Sequence, residues 1–145
     1  MPAILKKRQT WLLKTEPSTY SFQNLLKDKQ TNWNGVRNYQ ARNNLKKMTI
    51  GDLALIYHSG DEKAVVGISK VISEPYPDPD AQGGDWVQVD LIVFKAFEKP
   101  VTLSEIKATQ SLKELALIKQ SRLSVMPVVE AHAEILLKMG KTDEN

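Results

Sequence analysis

Apolar positions along this chain repeat at two spacings. Short continuous or alternating runs predict strands at "WLLK" (Trp11–Lys14), at Leu53–Tyr57, along "AVVGISKVIS" from Ala64, and along "WVQVDLIVFKAFE" from Trp86, where Val87, Val89, Leu91 and Val93 alternate on one face. Spacings of three and four predict helices. Ser21 is placed to cap one that runs to about Lys29, and Asn38 to cap "YQARNNLKKM", with Ala41 and Leu45 four apart on one face. The closing "VVEAHAEILLKMG" aligns His132, Ile135, Leu136 and Met139, with Gly140 where a left-handed glycine would end the helix. Thr102/Glu105 and Ser111/Glu114 both have capping-box spacing. Asn32–Gly35 reads as a turn, residues 75–85 with their three prolines and two glycines as a loop, and "RLSVMPV" as extended until Pro127 stops it.

This pattern gives about five strands with helices between and after them. The connections are short and irregular, without the strand–helix–strand repeat of a parallel sheet. The expected class is α+β: a β-barrel of about five or six strands with flanking helices, since closure removes the exposed edges that short strands would present. A chain of 145 residues is one domain in size. It can bury roughly 70% of its unfolded surface, enough for a core without staples.

The absence of cysteine excludes disulfides, thiolate metal sites and thiol nucleophiles together, and fits a reducing compartment. The start "MPAILKKRQTW" lacks the long apolar core of a signal peptide, and no apolar run approaches the ~20 residues of a bilayer span, so no membrane association is expected. The two histidines, His58 and His132, have no carboxylate or histidine at metal-binding spacing. Phosphate-loop, dinucleotide and nucleophile-elbow motifs are missing. Ser59 follows His58 directly, and neighbours on a strand point to opposite faces, which is poor geometry for a nucleophile and its base. Neither a metal, a cofactor nor catalysis is therefore expected.

Net charge is only +3, but it is unevenly placed: residues 1–47 hold ten Lys/Arg against two acids, and the remainder holds ten against fifteen. That asymmetry suits a positive face that meets an anion, with a solvated surface and a basic tail as the plainer account. The stretch Asn32–Lys47 concentrates it, with Trp33, Tyr39, Arg37, Arg42, Lys46, Lys47 and five asparagines but no acid. Trp33 offers a stacking face, or is a core ring at a turn. Asn38 offers a base-edge amide, or is only a helix cap. Arg37 and Arg42 offer forked donors for phosphate, or are solvated. Lys14 and Glu16 follow one strand end and Tyr57, His58 and Ser59 another, where barrels present binding groups.

The blocks "WLLKTEPSTYSF", "WNGVRNYQARNNL", "GDLALIYHSG", "VVGISKVISEPYPD" and "RLSVMPV" occur in an order and spacing that resemble the EVE domain family, a branch of the PUA-like folds that is similar to the YTH and ASCH domains. The resemblance runs from about Trp11 to Gly140. It implies a PUA-like domain over residues 11–140, between a flexible basic tail at 1–10 and a short tail at 141–145. It also implies a non-catalytic reader of a modified base in DNA or RNA. Carried over by position, the base pocket comprises Trp33, Val36, Arg37, Asn38, Tyr57, His58, Ser59, Lys14, Glu16 and Pro17. Arg42, Lys46, Lys47, Arg122 and Ser124 support it or contact phosphate. Two departures stand out: Met126 in place of a polar residue, and a short loop over 77–85. The implied partner is nucleic acid carrying a modified base. The implied location is the cytoplasm for a bacterial-type protein, or the nucleus for a eukaryotic one. Two other readings remain: an RNA- or nucleotide-modifying enzyme with Glu16 or His58 as general base, and a binder of a small charged metabolite.

Overall fold

The computed structural model describes residues 8–142. In chain order the elements are β1 (Thr10–Thr15), α1 (Phe22–Asp28), β2 (Gln30–Trp33), α2 (Tyr39–Lys46), β3 (Leu53–His58), β4 (Ala64–Val71), β5 (Tyr76–Pro77), β6 (Val87–Thr102), α3 (Leu103–Lys107), a 3-10 turn (Gln110–Leu112), α4 (Ala116–Lys119), β7 (Val125–Val128) and α5 (Glu130–Met139). The strands form one mixed sheet in the order β2-β6-β4-β3-β1-β7, and β5 adds a short pairing to β6. Among the described residues, only β1 and β3 run parallel; the remaining pairs are antiparallel.

The class is α+β, as expected from the pattern. The pairing path does not return from β7 to β2 among the described residues. Helix α2 packs against both β7 and β6 instead, and Asn44 Nδ2 donates to the Val125 carbonyl at 2.7 Å. A helix thus covers backbone polar groups that an open sheet end would leave bare.

Every residue of β3 is buried, and Trp11, Leu12 and Leu13 of β1 lie within the core beside Leu53, Leu55 and Ile68. Buried Asp52 ties the start of the chain to this core. Its carboxylate accepts from the Trp11 indole at 2.9 Å, from Thr49 N–H at 3.0 Å and from Gln9 N–H at 3.1 Å. Gln9 and Thr10 therefore belong to the folded unit rather than to a tail. Residues 1–7 and 143–145 of the two expected tails lie outside the described residues.

The structure departs from the local pattern at several points, each for a tertiary reason. Asn32 and Trp33 belong to strand β2 rather than to a turn, because β6 pairs with Gln30–Trp33; Gly35, with φ 81°, follows the strand. Pro127 lies within β7 rather than stopping it, since β7 pairs with β1 on one side only and tolerates a missing N–H on the other. The Ser111/Glu114 capping box does not form: the 3-10 turn begins after Thr109, while Leu112 and Leu115 turn into the core. The Thr102/Glu105 box does form. Gly140 has φ −82°, and the left-handed residue is Lys141. A glycine is required at 140 for a different reason, because a Cβ there would meet Phe97 Cδ2 at 2.4 Å.

Candidate functional site

The entrance of α2 organises the site. Asn38 is extended (φ −104°, ψ 134°), and its Oδ1 accepts from Ala41 N–H at 2.9 Å, leaving the amide Nδ2 unused by the cap. Beside it lies an open cavity of about 340 Å³, lined by Asn38 and Gln40 on one side and by Gln120, Ser121, Arg122 and Leu123, just before β7, on the other. Five of these six residues carry an amide, hydroxyl or guanidinium group, and the surface they present is about half apolar.

Lys14, near the end of β1, braces the far wall. Its Nζ donates to the Ser121 carbonyl at 2.5 Å, and its N–H donates to the Ser124 carbonyl at 2.9 Å. The parallel pairing of β1 and β3 places Lys14 opposite Tyr57, with Nζ 5.8 Å from the ring centroid. Burial draws the Lys14 ammonium below its ordinary pKa and pushes the Tyr57 phenol above its own. The wall therefore presents a partly desolvated cation next to a neutral ring.

The other residues singled out in the sequence lie elsewhere in the fold. Trp33 is 9% exposed and meets Tyr20 edge-to-face at 6.4 Å; Val36 and Tyr57 are buried. His58 is buried with both ring nitrogens occupied: Nε2 accepts from Phe22 N–H at 2.9 Å, and Nδ1 lies 2.7 Å from Glu62 Oε1. Nε2 thus takes the acceptor role, and Nδ1 faces the carboxylate. Ser59 N–H donates to the Thr15 carbonyl. Exposed Glu16 accepts from the N–H and hydroxyl of Ser18, which hold its carboxyl below the usual range; Pro17 beside it is half-buried. None of these residues lines the cavity. Of the predicted groups, the structure brings Asn38, Arg122 and Lys14 together at it, with Tyr57 behind Lys14.

The basic block meets its acids across the fold. The loop between β5 and β6 supplies Asp78, whose buried carboxylate accepts from Arg37 Nη1 and Gly35 N–H at 2.9 Å each. Asp80 accepts from Asn34 Nδ2, and Asp85 pairs with Lys46. Arg37 and Lys46 are therefore partly neutralised from within, while Lys47 and Arg122 are exposed.

The same loop brings up Trp86, a ring that the local pattern assigned only to the start of a strand. It stacks on Tyr39 with centroids 5.2 Å apart and planes 23° from parallel. The Arg42 guanidinium lies 5.1 Å from the Tyr39 ring and 5.6 Å from the Trp86 ring, and that of Arg37 lies 5.8 Å from Trp86. The sequence signal was the run "GGDW": a Cβ on Gly84 would meet the Trp86 indole nitrogen at 2.6 Å, so the glycine lets the ring fold back on its own loop. Gln120 and Ser121 carried no local signal.

Among the described residues there is no group of three or more acidic or histidine side chains placed to hold a metal, and no helix long and apolar enough to cross a membrane. The groups at the cavity suit binding: amide donors and acceptors and cations around a hollow, with the Tyr39–Trp86 rings outside it.

The sequence model of the EVE domain matches residues 9–139. Mouse thymocyte nuclear protein 1 is 31% identical over 167 residues, covering 92% of this chain and 74% of its own length. A solved structure from Agrobacterium tumefaciens superimposes with TM-score 0.89 at 37% identity, covering 94% of this chain and 96% of that one. The human THYN1 protein, solved in complex with DNA containing 5-methylcytosine, gives TM-score 0.85 at 27% identity, with 93% and 99% covered.

Proposed function

This chain belongs to the EVE domain family, and from that premise we propose that it is a non-catalytic module that reads a modified base, foremost a modified cytosine in DNA, in the cavity at the entrance of α2. The observation that carries the reading is the cavity itself: a hollow of about 340 Å³ walled by Asn38, Gln40 and Ser121, with Arg122 in its rim and Lys14 bracing its wall. Human THYN1 in complex with 5-methylcytosine DNA supports the choice of ligand. A reader of this kind would work where genomic DNA is exposed, in the cytoplasm of a bacterium or the nucleus of a eukaryote.

The energetics set what such a site can achieve. Taking a base out of a duplex costs a few kcal/mol. Hydrogen bonds to its edge from Asn38 and Gln40 roughly replace those lost, so net affinity comes from cations meeting phosphate. A buried methyl contributes about 0.8 kcal/mol, and a methylene-sized difference is discriminated by about 1–3 kcal/mol at most. Selectivity of roughly 10- to 100-fold follows. His58 and Glu16 are held in hydrogen bonds of their own, which disfavours a general base in either.

The test is a fluorescence-anisotropy titration of short duplexes that differ only in one 5-methylcytosine, repeated at several salt concentrations and with matched RNA. Tighter binding of the methylated duplex is expected, with affinity falling steeply as salt rises. Equal binding of both duplexes, or binding indifferent to salt, contradicts the reading.

A further inference from the structure

We propose that the Tyr39–Trp86 stack is a second nucleobase site, outside the cavity, which takes the base next to the one being read; the proposal rests on the cavity's being the base pocket. Tyr39 is 67% exposed, more than any other large apolar side chain among the described residues. A ring left so open is not there to fill the core. It lies nearly parallel to Trp86, and the loop carrying Trp86 is fixed in place by Asp78 through Gly35 N–H and Arg37. The two rings thus form a preorganised plate rather than two mobile side chains.

The charge around the plate suits a stacked nucleotide. Arg42 Nε and Nη2 donate to the neutral Asn43 Oδ1 at 3.1 and 3.0 Å, and Arg42 makes no direct ion pair among the described residues. Asp85, whose charge Arg42 feels, is already held by Lys46. A base placed on these rings would put its phosphate beside that guanidinium.

Placement then links plate and cavity. Asn38 and Gln40 line the cavity, whereas Tyr39 and Arg42, three residues apart along the helix, carry the plate. A base drawn into the cavity leaves its neighbour without a stacking partner. Tyr39, between Asn38 and Gln40 in the chain, offers a replacement, whatever the neighbour's identity, since every base has a π-face.

The experiment uses the full chain and oligonucleotides with an abasic linker at one of three positions: the modified nucleotide, its 5′ neighbour or its 3′ neighbour. An abasic site at one flank is expected to weaken binding by the wild-type protein about 5- to 150-fold. Tyr39→Ala should lose a similar factor on the intact strand and nothing more on that abasic strand, because both changes remove the same contact. Trp86→Leu serves as a second variant, and a thermal melt of each variant reports retained folding. If neither flanking abasic site weakens wild-type binding, or if the two losses simply multiply, the plate holds no base. An abasic site at the modified position that costs nothing, while a flanking one does, removes the pocket reading and with it the plate's place beside a read base, leaving the rings only as a stacking site.

Discussion

Arg37 Nη1 meets Asp78 Oδ2 at 2.9 Å, with the carboxylate side chain fully buried and the arginine side chain 39% exposed. The pair joins two segments 41 residues apart and anchors the loop that carries Trp86 to the turn before α2. Arg37 is thereby a brace, with part of its side chain left open to solvent.

Asp78→Ala removes the acceptor of Gly35 N–H, Asp80 N–H and Arg37 at once. Breaking a fully buried ion pair costs about 3–5 kcal/mol, but Arg37 can rehydrate, so the expected loss is nearer 1–3 kcal/mol. Urea unfolding measures it. An unchanged midpoint would mean that the loop contributes nothing to the fold.

Trp33 belongs to the core, so Trp33→Ala should cost stability before it costs recognition, by about 3–5 kcal/mol. Trp33→Phe keeps a ring against Tyr20 and should bind methylated DNA much as the wild type does. A folded Phe variant that has lost its preference for the methylated duplex would put the indole in the site after all.

Acid should loosen the same loop. Burial alone would push the Asp78 carboxyl up, but the Gly35 and Asp80 N–H groups and Arg37 outweigh it and hold the group below its usual range. The Lys46 ammonium does the same for Asp85 through a direct hydrogen bond. A carboxyl whose folded pKa is depressed adds stability that is complete above its unfolded value of about 4 and disappears as pH falls through the folded one. Melting temperature is expected to stay level from about pH 8 to 5 and to drop below about pH 4. Asp78→Asn should shallow that drop, and differential scanning calorimetry across this range decides it.

Arg122 is exposed at the cavity rim. Arg122→Ala should weaken methylated and unmethylated duplexes by similar factors and reduce the slope of log affinity against log salt by about 0.9, the share of one phosphate contact. A loss confined to the methylated duplex would instead assign Arg122 to the base.

A small part of the candidate site was legible locally. Asn38 caps α2 as its position before "YQARNNL" indicated, because capping depends on the few residues that follow. Lys14 reaches the site because it sits at a strand end, which the apolar run also marked. The pairing of Gln30–Trp33 with β6 was not legible, since its partner lies some sixty residues further along the chain. Nor did the local pattern set Trp86 against Tyr39.

The sequence by itself determined the alternation of strands and helices, the cap that opens α2 and the gathering of cations in the first third of the chain. Those depend on periodicity and composition within a few residues. Tertiary structure alone decided that Trp33 faces inward while Tyr39 faces out with half-buried Trp86 stacked on it, that Asp78 claims Arg37, and that Gln120–Leu123 line a cavity with Asn38. Burial and pairing of that kind are properties of residues far apart in the chain, and no local pattern contains them.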